Sequence, residues 1–142
     1  MADYTYSVSI VIRHPSITAD EISRELGLQP TKSVNVGSKK YSSNGEVYLG
    51  ISEDTYWRCN LHSDQRARAE EMYLEDFLVS QNAKLEKSKS FLNKLVESGG
   101  YIEYFIGVFG GEYAIMATLT PSLLKQTAEL NIAIGFDIYA NG

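Results

Sequence analysis

Residues 5–30 read TYSVSIVIRHPSITADEISRELGLQP, and the two periods inside this stretch decide the fold class. Over residues 5–13 the pattern alternates. Tyr6, Val8, Ile10 and Ile12 point one way; Ser7, Ser9, Val11 and Arg13 point the other, as in a strand with one buried face. From Thr18 the period changes. Thr18 stands at an N-cap with Glu21 three residues on, a capping-box pattern, and Ile17 and Ile22 can close a hydrophobic staple across it. Ile22 and Leu26 share a helical face, Gly27 is placed to end the helix, and Pro30 forbids its continuation. A half-buried strand followed by a short capped helix is the start of an α/β or α+β domain.

Moving outward, residues 31–52 read as a loose hairpin with Lys39, Lys40, Ser42, Ser43, Asn44 and Gly45 at its tip and Asn44-Gly45 as the turn signal. Residues 56–62 alternate again, with Trp57, Cys59 and Leu61 on one side and Tyr56, Arg58, Asn60 and His62 on the other. Ser63 or Asp64 is expected to cap a long helical region ending at Gly99-Gly100. Its two apolar stripes, Leu74, Phe77 and Leu78, then Leu85, Ser88, Leu92, Leu95 and Val96, fall out of phase across residues 80–83. Two helices or one kinked helix follow from that. Strands are expected over residues 101–109 and 112–119, joined by a tight Gly110-Gly111 turn. Thr120 caps a further helix with Pro121 at its first position, the favoured place for proline. Leu123, Leu124, Ala128 and Leu130 would supply its apolar side. Residues 132–139 form the last strand.

The two ends look alike: residues 9–36 and 116–139 each run strand, proline, serine, short helix, strand. The reading is one α+β domain over residues 1–142. It is ferredoxin-like, with two βαβ halves forming a mainly antiparallel sheet and helices packed on it.

Composition narrows the class further. A chain of 142 residues buries roughly 68–70% of its unfolded surface, so it needs no disulfide or metal to fold. Its single cysteine, Cys59, excludes an internal disulfide. No signal peptide is recognisable, and no stretch approaches the ~20 apolar residues that span a bilayer. A cytoplasmic protein is expected, with no membrane association. The net charge of −5 repels phosphate backbones, so no nucleic-acid partner is expected. Lys84, Lys87, Lys89 and Lys94 read as a solvated helix face.

The same stretches carry a family resemblance. Ile17-Thr18, Glu21-Ile22, Leu26-Gly27-Leu28 and Pro30-Thr31, within residues 15–37, resemble the opening of a bacterial family described as domain of unknown function 4279. Pro121, Leu124, Ala128, Leu130 and Phe136-Asp137-Ile138-Tyr139 resemble its close, and Trp57 is similar to its central tryptophan. The resemblance covers essentially the whole chain. Members commonly carry an acidic residue before the first proline, where this chain has His14. The family brings no reaction or catalytic residues, so none is carried over.

Candidate chemistry is sparse. Cys59 and His62 make half of a zinc spacing, but no second pair completes four ligands, and positions three apart on a strand face opposite ways. Cys59 reads as a core residue. His14 could act as an acid or base, but no nucleophile or orienting partner accompanies it, and it reads as a solvated turn histidine. Glu70, Glu71, Glu75 and Asp76 read as the wet side of a helix. No catalytic residue, metal site or cofactor is expected.

What remains is a sheet face. If the apolar strand faces meet the helices, the opposite face carries Ser7, Ser9, Arg13, Arg58, Asn60, Glu103, Phe105, Phe109, Met116, Asp137 and Tyr139. Aromatics among charges and hydroxyls resemble a contact surface, the alternatives being a wetted sheet face or one covered by the long helices, and Arg13, Arg58, Asn60, Phe105, Asp137 and Tyr139 are its candidate binding residues. The leading function is a non-enzymatic module that binds a protein, of immunity or regulatory type. The net charge favours a basic partner, and a homodimer is also open. The alternatives are a small-ligand sensor of ferredoxin-like type and, last, an enzyme of unknown class.

Overall fold

The computed structural model describes residues 4–62, 66–110 and 114–139. Strand β1 (Thr5–His14) is followed by α1 (Ala19–Leu26), β2 (Lys32–Val34), the pair β3 (Lys39–Tyr41) and β4 (Tyr48–Ile51), then β5 (Thr55–Asn60) and the short β6 (Ala67–Arg68). Helix α2 (Leu74–Leu85) runs through a 3-10 turn at Glu86–Ser88 into α3 (Lys89–Glu97). Strand β7 (Tyr101–Phe109), α4 (Pro121–Glu129) and β8 (Ala133–Tyr139) complete the chain.

The result is an α+β fold around one mixed sheet of order β2-β5-β1-β7-β8, with β6 also paired to β1. Strand β1 is antiparallel to β5, β6 and β7, and β2 is antiparallel to β5. The β7–β8 pair is parallel. Tyr6, Val8, Ile10 and Ile12 of β1 are fully buried, as the alternation requires. They share one core with Trp57 and Cys59 of β5, with Ile102, Tyr104, Ile106 and Val108 of β7, and with apolar side chains of all four helices. Among the described residues the helices therefore pack on the even-numbered face of β1, while on the other face Ser7, Val11 and Arg13 keep at least partial exposure and Ser9 is buried between its neighbours.

Local signals behave as their chemistry dictates. The Thr18 hydroxyl accepts from the Glu21 N–H at 3.2 Å, and Gly27 ends α1 in the left-handed region at φ 66°. Thr120 caps α4 in the same way through the Leu123 N–H, with Pro121 in its first turn.

Several expectations fail where long-range packing intervenes. Residues 114–119 form no strand; 112 and 113 lie outside the described residues. Strand β8 occupies the edge of β7 that a returning hairpin strand would have needed, so the C-terminal unit is β7-α4-β8, parallel rather than antiparallel. Residues 32–34 leave the expected hairpin to pair with Tyr56, Trp57 and Arg58 of β5. Lys39 and Lys40 belong to a strand of the smaller hairpin, not to its tip. The expected cap at Ser63 or Asp64 lies outside the described residues. Helix α2 begins only at Leu74, because residues 67–68 pair with β1 and residues 69–73 turn back from it. Glu70 and Glu71 precede the helix, and Glu75 accepts from the Thr118 N–H at 3.0 Å instead of facing water alone.

The break between helices falls at residues 86–88, not 80–83. Gln81 and Asn82 interrupt the apolar stripe and are nonetheless buried. Asn82 accepts from the Tyr104 hydroxyl at 2.8 Å and donates to Thr127 Oγ1 at 2.9 Å, and Thr127 in turn donates to the Leu123 carbonyl at 2.8 Å. The Asn82 amide is satisfied inside the core, so the helix continues through it. On α4 the buried residues are Leu123 and Thr127, with Leu130 just beyond; Leu124 and Ala128 face outward. Among the described residues no helix is long and apolar enough to cross a membrane.

Candidate functional site

The candidate residues come from three neighbouring strands and the edge. Ser9 of β1 is flanked by Asn60 of β5 and Phe105 of β7, with Gly135 of β8 next in line. In the adjacent row Val11 lies between Arg58 and Glu103, and Lys32 extends it on the far side of Arg58. Arg13 is flanked by Tyr56 and Tyr101. Towards the other end, Gly107 pairs Asp137 and Phe109 pairs Tyr139. All six candidates, Arg13, Arg58, Asn60, Phe105, Asp137 and Tyr139, therefore share one face. Met116 does not: it lies outside the sheet in the segment before α4, 81% exposed.

Two glycines shape this face. A Cβ on Gly135 would come within 2.7 Å of Glu103 Oε2, so the absent side chain leaves room for the Glu103 carboxylate. A Cβ on Gly107 would meet Ser7 Oγ at 3.0 Å and the Phe109 ring at 3.2 Å, so Phe109 can lie down over its own strand. The charged groups are held in place by aromatics. The Arg58 guanidinium lies 5.4 Å from the Phe105 ring centre, that of Arg13 lies 4.7 Å from Tyr56, and that of Arg66 lies 3.5 Å from Phe109. Phe109 stacks on Tyr139 with centroids 5.0 Å apart. Tyr101 donates to Glu103 at 2.8 Å, Tyr139 donates to Asp137, and Arg13 pairs Asp54 at 3.5 Å. The carboxylate bonds raise both phenol pKa values. Pre-positioned Arg–aromatic pairs lose little rotamer freedom on contact.

Neither histidine behaves as the sequence suggested. His14 is a core residue, only 5% exposed, not a solvated turn residue. Its Nδ1 accepts from the N–H groups of Ser16 and Ile17, both at 3.0 Å, and its Nε2 lies 2.8 Å from Ser98 Oγ. The alternation did carry this signal, since His14 continues the buried set Tyr6 to Ile12. His62 lies beyond the end of β5, not on its outer face. Its ring stacks on Phe77 at 4.4 Å, and Nε2 accepts from the Val8 N–H at 2.9 Å. It thus satisfies a β1 donor in the gap between β5 and β6. Cys59 is buried, which pushes its thiol pKa up. Among the described residues no group of three potential metal ligands converges.

Both imidazoles are held below the ordinary value of about 6.5 by burial, with Glu21 partly offsetting this for His14. Unfolded histidines take up protons near pH 6.5, and the folded ones resist. The stability these two provide is complete above about pH 6.5 and is lost as the pH falls below it. The urea midpoint is expected to drop between about pH 7.5 and about pH 5. The backbone donors also dictate opposite tautomers, Nε2–H for His14 and Nδ1–H for His62. A long-range proton–nitrogen spectrum at neutral pH checks this, and matching tautomers would refute the hydrogen-bond assignment.

Sequence reasoning missed one surface. Tyr41, Val47, Tyr48, Leu49 and Ile51 on or beside the β3–β4 hairpin are each more than half exposed. Their apolar character gave the signal, but a two-stranded pair separate from the main sheet was needed to expose them all.

The sequence profile of the family described as Domain of unknown function (DUF4279) matches residues 4–141. The chain belongs to this DUF4279 family. No curated protein and no solved structure matches the chain. The DUF4279 match spans β1 to β8, so the sheet face and both histidines lie within the family domain.

Proposed function

We propose that this DUF4279 chain is a single-domain, non-enzymatic binding module of the bacterial cytoplasm. In this reading it contacts a protein partner through the sheet face that the helices leave open. The observation that carries it is the row of arginines laid on aromatic rings, Arg58 on Phe105, Arg13 on Tyr56 and Arg66 on Phe109. Arginine and aromatic side chains are enriched at binding hot spots. The order β2-β5-β1-β7 is also that of a ferredoxin-like core, with β8 added at its edge; we read the fold as a member of that class. Net charge favours a basic partner at long range, whereas the arginines favour carboxylates at the contact itself. An immunity-type or regulatory role suits either charge arrangement.

Arg58→Ala and Arg13→Ala are expected to change stability by no more than about 0.5 kcal/mol. Each is expected to weaken binding by about 1–2 kcal/mol. The partner is first captured from the native host, and both variants are then measured by calorimetry and urea unfolding. Stable variants with unaltered binding would make this face merely wetted sheet.

A small-ligand sensor is the second reading. It rests on a cleft of about 400 Å³ lined by Leu61, His62, Arg66, Ala67, Arg68, Glu71 and Phe77. A thermal-shift screen of anionic metabolites tests it, since a ligand at 100 times its dissociation constant adds about 2.7 kcal/mol. No shift across the set would remove it.

A further inference from the structure

The two edges of the main sheet are built differently. Strand β2 has three residues, carries Lys32, and follows Pro30 closely. Shortness, an edge lysine and a nearby proline all discourage another chain from pairing there. Strand β8 has seven residues, AIGFDIY, with no lysine, proline or register shift. Among the described residues nothing pairs with its outer side. The Tyr139 carbonyl accepts from Gly110, at the end of β7, at 3.3 Å. Backbone direction alternates along a strand, so Ile134, Phe136 and Ile138 turn their N–H and C=O groups outward. The same three side chains lie on the helix face, where Phe136 is 45% and Ile138 62% exposed.

Helix α4 continues this apolar strip. It buries Leu123 and Thr127 and turns Gln126 and Glu129 towards α2 and α3, where Glu129 pairs Lys89. Leu124 and Ala128 fall on the opposite flank, above the free edge, and both are exposed.

We propose that β8 is a homodimer edge, pairing antiparallel with β8 of a second copy about a two-fold axis near Phe136. The apolar pattern of the strand is symmetric about that residue. Phe136 meets its own counterpart, and Ile134 faces Ile138 of the second copy, so the outward backbone groups form hydrogen-bonded pairs. A two-fold axis normal to the sheet keeps both sets of helices on one side. The two α4 flanks then close over Phe136 and Ile138. In this register Asp137 faces Gly135 and avoids its own counterpart. The cost is the approach of Asp137 to Glu103 of the other copy on the open face. Salt screens that repulsion, so association is expected to tighten from low salt to about 1 M.

Sedimentation velocity and light scattering on the full chain test this assembly. The wild type is expected to be dimeric at high concentration. Phe136→Pro removes an outward N–H and the central ring of the strip while leaving the backbone bonds to β7 in place, and Ile138→Lys places a charge on the strip; each is expected to weaken association by at least about tenfold with an unchanged circular-dichroism spectrum. Under oxidising conditions Phe136→Cys should form a disulfide-linked dimer, and Ile138→Cys, which faces Ile134, should not. A wild type that stays monomeric at every concentration, or a dimer that survives Ile138→Lys, overturns the proposal. The open-face variants Arg58→Ala and Arg13→Ala should leave the dimer intact, so failure here and failure of partner binding are separable.

Discussion

Trp57→Ala is expected to lower the unfolding free energy by about 3–5 kcal/mol. Trp57 has no exposed surface and belongs to the core formed by β1, β5, β7 and the helices. Its indole N–H donates to Ser23 Oγ of α1 at 3.0 Å, so the side chain also ties the first helix to the sheet. Truncation removes a large apolar surface and leaves a cavity that the flanking strands of a central sheet cannot collapse to fill. Urea unfolding measures the effect. A loss below about 1 kcal/mol would mean that β5 is reversed, with Tyr56 and Arg58 inside.

Asn82→Ala carries the second large effect, about 1–3 kcal/mol. Asn82 is almost fully buried, and its amide is the partner of the fully buried Tyr104 hydroxyl and of Thr127. Burial pushes the Tyr104 phenol pKa far above its usual range, which reflects how poorly this site would tolerate a charge. Removing the amide orphans a phenol that no water can easily reach. Replacing both partners by apolar groups is much less costly than removing one. The double variant Asn82→Leu with Tyr104→Phe should therefore recover a good part of the loss. If Asn82→Ala alone is neutral, the polar bridge between α2, β7 and α4 is not formed.

This bridge also explains a misplaced helix break. Gln81 and Asn82 are polar where a helix stripe should be apolar, and a period count can only read them as an interruption. Inside the fold Asn82 finds Tyr104 and Thr127, which lie 22 and 45 residues away. His14 follows the same logic. A histidine before a proline looks solvated until Ser98, 84 residues on, meets its Nε2. The open sheet face was far more legible. Arg13, Arg58, Phe105, Asp137 and Tyr139 each follow from strict alternation beside a buried or helix-side neighbour, and no bulge intervenes in β1, β5, β7 or β8. Met116 falls on that face only if it belongs to a strand, and residues 114–119 form none.

By itself, then, the sequence determined what depends on nearest neighbours. The faces of β1, β5 and β7, the Thr18 and Thr120 caps and the Gly27 stop arise from sterics and hydrogen bonds within a few residues. Tertiary structure decided what depends on distant partners. Residues 32–34 left a local hairpin for β5, and β8 took the parallel edge of β7. Phe136 and Ile138, which alternate as a buried strand should, stand half-exposed at the rim. Periodicity says which side chains share a face, but not what covers that face, because burial is a property of everything packed against a strand and not of the strand alone.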